Sequence, residues 1–142
     1  MKPTTDILKE LNTVKAPQQF DRFLEDNKAD LDSRTFSSYL NELIEGSSLS
    51  KAQIVKASNL NEVYCYQIIS GSRIPSKDKV IALALAMGID PDQTNRLLTL
   101  AGSAELYPKD TRDCTVIYAL NNHLSVHQLN DTLFKKGLDC IR

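Results

Sequence analysis

The chain has 142 residues, of which 42% are hydrophobic and 25% charged, with a formal net charge of −1. This length can bury a core without metals or disulfides, and the composition is that of an ordinary globular protein. A dedicated nucleic-acid binder usually carries a basic domain, so the near-neutral balance excludes binding through bulk charge and leaves only a local basic patch for that role.

Apolar residues recur three and four apart throughout, and no segment alternates over strand length, so the predicted fold class is all-α. Residues 6–14 form a short amphipathic stretch with Ile7, Leu8, Leu11 and Val14 on one face. Pro17 opens a second helix, at a position where the missing N–H costs nothing, and Phe20, Phe23 and Leu24 form its stripe. These two pieces predict an N-terminal helical arm over residues 1–34, with the polar segment 29–34 as its joint.

A central module is predicted over residues 35–102. Its first helix runs from about Thr35 to Glu45 with a stripe of Phe36, Leu40, Leu43 and Ile44, and Gly46 is expected to stop it in the left-handed region. Ser50-Lys-Ala-Gln53 reads as a capping box, flanked by Leu49 and Ile54 at the spacing of a hydrophobic staple. A tight turn is predicted at Ser58-Asn59-Leu60, where Asn59 can take positive φ. Asn61 caps the next helix, which ends at Gly71. Ser76 is expected to cap a fourth, with Val80, Ile81, Leu83, Ala84 and Met87 as its stripe and Gly88 as its stop. Asp90-Pro-Asp-Gln93 starts a fifth, which carries Leu97, Leu98 and Leu100 and closes at Gly102.

Two further helices are predicted in a C-terminal extension, residues 103–142. One spans about Lys109 to Asn122. The other starts with the box Ser125-Val-His-Gln128 and has an apolar side of Leu129, Leu133 and Phe134 before Gly137.

Short helices joined by a turn of three or four residues are the helix-turn-helix signal. The stretch from Leu49 to Ser76 resembles the Xre or Cro/cI-type helix-turn-helix family without a gap. Leu49, Ile54, Leu60, Ile68, Gly71, Pro75 and Ser76 stand where that family carries its typical residues, within a similarity covering residues 36–101. The resemblance implies a five-helix lambda-repressor-like module and a DNA-binding transcriptional regulator. Double-stranded DNA would be the partner, and a homodimer would match a two-fold operator. It implies that Lys51 touches backbone phosphate and that the helix after Asn61 enters the major groove. Asn61, Glu62, Val63, Tyr66 and Gln67 would face the bases, with Tyr64 at the edge and Cys65 and Ile68 turned to the core. Ser72, Arg73 and Ile74, with Lys77 beyond them, would meet the second phosphate flank.

The departures from the family pattern carry information. Val55 replaces a small residue where two helices cross, so a looser crossing is expected. Asn59 replaces the usual turn glycine. The recognition helix has no Lys or Arg, and Glu62 at its tip suits the helix dipole but repels phosphate. Positive charge comes from Lys51, Lys56, Arg73, Lys77 and Lys79. Val63, Tyr64 and Tyr66, with Ile69 beside them, suggest an exposed apolar face. The alternative function is therefore a non-DNA adaptor that docks a protein partner on that face.

No enzyme signature is present, and no cofactor or metal is expected. The glycines are dispersed as helix stops, and the acidic clusters read as caps and solvated faces. His123 and His127 lie four apart, but the Ser125 cap separates them onto different elements. Cys65, Cys114 and Cys140 are odd in number, lack a C-x-x-C spacing and read as small buried hydrophobes. No signal peptide and no run of membrane-spanning length are read, so the expected setting is a reducing cytoplasm.

Overall fold

A computed structural model describes residues 4–28 and 34–142. Of the expected joint at 29–34, residues 29–33 lie outside the described residues. Nine α-helices and no strand occur among the described residues: α1 Thr4–Leu11, α2 Pro17–Asp26, α3 Phe36–Glu45, α4 Lys51–Ala57, α5 Glu62–Ser70, α6 Lys77–Met87, α7 Pro91–Leu100, α8 Thr111–Asn121 and α9 Val126–Lys135. The chain divides into two compact units, Met1–Ser33 and Arg34–Arg142.

In the first unit, Pro17 takes the opening position of α2, and the Gln19 carboxamide oxygen accepts from the N–H groups of Lys15 and Ala16 at 3.0 and 3.1 Å. Phe23 is buried and stacks on Phe20 with ring centroids 6.4 Å apart. Asn27 is fully buried and donates to the Glu10 carboxylate and to the Phe23 carbonyl, both at 3.0 Å, which ties the end of α2 to α1. Leu8, Leu11, Phe20 and Leu24 stay exposed, so two helices of this length leave much of their apolar face uncovered.

In the second unit the sequence-predicted helix starts form as hydrogen-bonded boxes. Ser50 pairs reciprocally with Gln53, Asp90 with Gln93 and Ser125 with Gln128. A further box joins Thr35 and Ser38 at the start of α3. A serine hydroxyl reaches back there in place of the longer carboxamide, which is why the usual pattern did not flag it.

Helix α6 organises the core. Every residue from Val80 to Met87 is buried, so this helix is apolar on all sides, and α4, α7, α8 and α9 all pack against it. Its hydrophobic run is a consequence of that central place. Leu97 and Leu98 of α7, Val116 and Leu120 of α8, and Leu129 and Leu133 of α9 complete one continuous cluster. The two C-terminal helices thus share their core with the preceding five. Ile141, beyond α9, is 5% exposed and belongs to the same cluster.

Several local expectations are corrected. Gly46 sits at φ −78°, ψ −8°, an ordinary right-handed conformation, because α3 closes with a right-handed turn in which the Gly46 N–H bonds the Glu42 carbonyl and the Ser47 N–H the Ile44 carbonyl, both at 3.1 Å. Ser76 holds the N-cap position of α6, but its side chain makes no capping bond. Leu43 is only half-buried, whereas Tyr39 joins the core. Phe134 is 75% exposed, since one residue past Leu133 already rotates the side chain out of the α9 packing face. Of the three thiols only Cys65 is buried; Cys114 is exposed and Cys140 is intermediate.

Candidate functional site

The region singled out by the sequence is α4, the turn after it, and α5. Helix α4 is capped at its C-terminus by Ser58, which is right-handed and fully buried, and whose hydroxyl donates to the Val55 carbonyl at 2.7 Å. Asn59 follows at φ 59°, the positive value expected of it. Leu60 is half-buried, and its N–H donates to the Ser58 hydroxyl at 3.3 Å. The Asn61 side-chain oxygen then accepts the Tyr64 N–H at 3.0 Å and starts α5. The two helices pack on one another, and Val55 is buried where they meet.

Helix α5 is anchored by Cys65 and Ile68, both fully buried as expected. Ile69 is only 3% exposed and so belongs to the core, not to the outer face. It lies four residues after Cys65 on the same helix face, and its carbonyl oxygen accepts from the Ser37 hydroxyl and the Asn41 carboxamide of α3, each at 2.8 Å. Burial pushes the Cys65 thiol above its ordinary value, opposed by its contact with the Ser58 hydroxyl.

Asn61, Glu62 and Val63 lie exposed, Val63 at 68%, and Gln67 is half-buried. Tyr66 is 38% exposed and lines a groove between the helices together with Glu62 of α5 and Ala52, Val55 and Lys56 of α4. Tyr64 turns elsewhere. Its ring centroid lies 5.5 Å from the guanidinium carbon of Arg73 and 5.3 Å from the ammonium of Lys79.

The loop after α5 is built on the Gln67 carbonyl. Gly71 is left-handed at φ 91°, and the Ser72 N–H returns to Gln67 at 3.0 Å while the Gly71 N–H returns to Ile68 at 3.2 Å. This double return is a Schellman closure. The Arg73 N–H and the Ser72 hydroxyl also reach the Gln67 carbonyl, at 3.3 and 3.2 Å. Arg73 is therefore delivered to the Tyr64 ring by a fixed backbone. Ile74 projects outward at 66% exposure while Pro75 is buried.

The cations divide into two sets. Lys51 and Lys56 are exposed on α4, and neither they nor Arg73 and Lys79 pair with a carboxylate among the described residues. Lys77 differs. Its ammonium donates to the buried Asp113 carboxylate of α8 at 3.0 Å, so its charge is neutralised within the protein. Nothing in the local sequence connects Lys77 with Asp113 or Lys79 with Tyr64, because the pairings span 36 and 15 positions of chain.

Elsewhere, the guanidinium carbons of Arg34 and Arg96 lie 4.8 and 5.9 Å from the centroid of the Tyr39 ring. Burial raises its phenol above the ordinary value although both arginines oppose the shift. His123 falls in the turn before α9 at φ 54°, and His127 lies on α9, both exposed. Among the described residues no three His, Cys, Asp or Glu side chains gather where they could hold a metal ion, and no helix is long and apolar enough to cross a membrane.

No protein-family model, no curated protein and no solved structure matches this chain.

Proposed function

We propose that α4 and α5 form a helix-turn-helix of the Cro/cI type, and that the protein is a transcriptional regulator that binds double-stranded DNA with α5 in the major groove. One observation carries this reading. A seven-residue helix meets a nine-residue helix across a turn held by the buried Ser58 and the left-handed Asn59, and the far side of the second helix is left facing solvent. Asn61, Glu62, Val63, Tyr66 and Gln67 are the base-facing candidates of this reading. Glu62 can accept from a cytosine amino group, and Gln67 can pair with adenine. Lys51, Lys56, Arg73 and Lys79 supply the backbone contacts, whereas Lys77 is set aside by its ion pair with Asp113. About four phosphate contacts give modest non-specific affinity at physiological salt, so base contacts and a second copy of the chain carry the remainder.

The test is binding to random-sequence duplex DNA across a salt series. The reading predicts a linear fall of log affinity with log salt, with a shallower slope for Arg73→Ala and an unchanged slope for Lys77→Met. No binding at low salt overturns it.

A second reading is favoured by the exposed apolar groups. Val63 and Ile74 are each about two-thirds exposed, and Tyr66 opens onto the groove beside α4. An adaptor would use this face for an apolar protein segment, with α5 kept as a scaffold. In that case Val63→Asp and Tyr66→Ala abolish partner capture while Arg73→Ala leaves it unchanged.

A further inference from the structure

Two cations approach the Tyr64 ring, and neither is in an ion pair among the described residues. Arg73 reaches the ring from the loop after α5, and Lys79 reaches it from the first turn of α6. Both lack a carboxylate partner among the described residues. The neighbouring lysine at position 77 shows the contrast, since it is matched to Asp113. Bringing two like charges onto one side chain is unfavourable by their mutual repulsion. The negative face of an aromatic ring attracts each of them and offsets part of that repulsion. Tyr64 is half-buried, and its backbone N–H is held by the Asn61 cap. The Arg73 main chain is held by its N–H bond to the Gln67 carbonyl.

We infer that Tyr64 is a positioning residue, whose ring gathers Arg73 and Lys79 into one clamp for a backbone phosphodiester of duplex DNA. Tyr64 therefore does not read a base. The inference rests on the DNA-binding reading and deepens it. It assigns the phosphate flank after α5 to Arg73 and Lys79 together, with the phenol hydroxyl playing no part. The aromatic face is the working element, so phenylalanine substitutes for tyrosine and an aliphatic residue does not.

The experiment is a salt series on random-sequence duplex DNA with the wild type and with Tyr64→Phe, Tyr64→Leu, Arg73→Met and Lys79→Met. Each variant is first checked for wild-type helical content and a cooperative melt. Each lost phosphate contact lowers the slope of log affinity against log salt by about 0.9. Arg73→Met and Lys79→Met are expected to lose about one contact each. Tyr64→Leu is expected to lose between one and two, with a several-fold rise in Kd, while Tyr64→Phe retains the wild-type slope. A second reading needs no DNA: the ε-methylene protons of Lys79 shift upfield under the ring in the wild type and in Tyr64→Phe, and return to ordinary values in Tyr64→Leu. Should Tyr64→Leu fail the folding check, the Lys79 shift in wild type and Tyr64→Phe, with the slopes of the two Met variants, decides the matter. A wild-type slope in Tyr64→Leu, or in both Met variants, overturns the clamp and leaves DNA binding standing. A Tyr64→Phe variant as weak as Tyr64→Leu also overturns it, since the hydroxyl would then be the contact. Absence of duplex binding by the wild type at low salt overturns both.

Discussion

Arg112 grips Asp78 with both arms of its guanidinium, Nη1 to Oδ1 and Nη2 to Oδ2 at 3.1 Å each. The first turn of α8 is thereby fastened to the first turn of α6, beside the Lys77–Asp113 pair that runs in the opposite sense. Arg112 does more than pair. Its Nε donates to the Asp139 carbonyl at 2.9 Å and its Nη2 to the Cys140 carbonyl at 3.1 Å, while the Arg142 N–H donates to Asp78 at 3.2 Å. One side chain thus joins two helices and the segment beyond α9.

Arg112→Ala should lower stability by about 2 kcal/mol, because charge-assisted bonds at side chains only a quarter exposed are lost and Asp78 is left without its fork. Arg112→Lys should recover part of this at most, since an ammonium cannot match a carboxylate and two carbonyls from one plane. Urea denaturation of both variants measures it. Equal stability of Arg112→Ala and wild type would show the network to be decorative.

Leu133 of α9 is fully buried in the cluster centred on α6. Leu133→Ala should therefore cost about 2–5 kcal/mol. The whole helical signal of residues 34–142 should move to lower urea in one transition. An early, separate transition for the C-terminal helices would contradict the shared core.

Asn59 adopts φ 59°, where a β-branched side chain is strained and glycine is not. Asn59→Val should destabilise by about 1–2 kcal/mol, and Asn59→Gly should stay within about half a kcal/mol of wild type. Thermal melts of the pair decide it. A neutral Asn59→Val would mean that the turn after α4 can be rebuilt without the left-handed residue.

The thiols should separate by environment. Cys114 is exposed and should alkylate first at neutral pH. Cys140 is intermediate, with its sulfur 3.5 Å from the Asn130 carbonyl, and should follow more slowly. Cys65 is fully buried, and burial holds its thiol above the ordinary value, so too little thiolate forms for reaction before unfolding. Peptide mapping after timed iodoacetamide treatment gives the order; rapid labelling of Cys65 would refute it.

Much of this molecule is local chemistry, and to that extent legible residue by residue. Ser50, Asp90 and Ser125 each sit three positions before a glutamine, and all three helix starts form as hydrogen-bonded boxes. Asn59, Gly71 and Gly88 take the positive φ that their positions after helices suggest. Such features involve neighbours within about five residues, so the chain specifies them wherever it folds. Failures of local reading occur where packing chooses between equivalent options. Phe134 and Leu133 are adjacent and both apolar, yet the face of α9 that docks onto α8 and α6, shared by Val126, Leu129 and Leu133, buries only Leu133. Ile69 follows Cys65 by four positions and is buried with it, against the side of α3 that carries Ser37 and Asn41, although residue type alone made it as apolar a candidate for the outer face as Tyr66.

The charges show the same division most sharply. Five cations near α4, α5 and α6 are visible in the sequence as equivalents: Lys51, Lys56, Arg73, Lys77 and Lys79. Their number and type follow from composition alone. Their availability does not, because a charge is neutralised or left open by whatever the fold brings within a few ångströms of it. The docking of α8 beside α6 gives Lys77 a buried carboxylate, and the closure after α5 carries Arg73 to the ring that also meets Lys79. Helix, cap and turn belong to the order of the residues. Which cation faces outward is settled by contacts between helices, since Coulomb and cation–π attraction depend on distance in space and not along the chain.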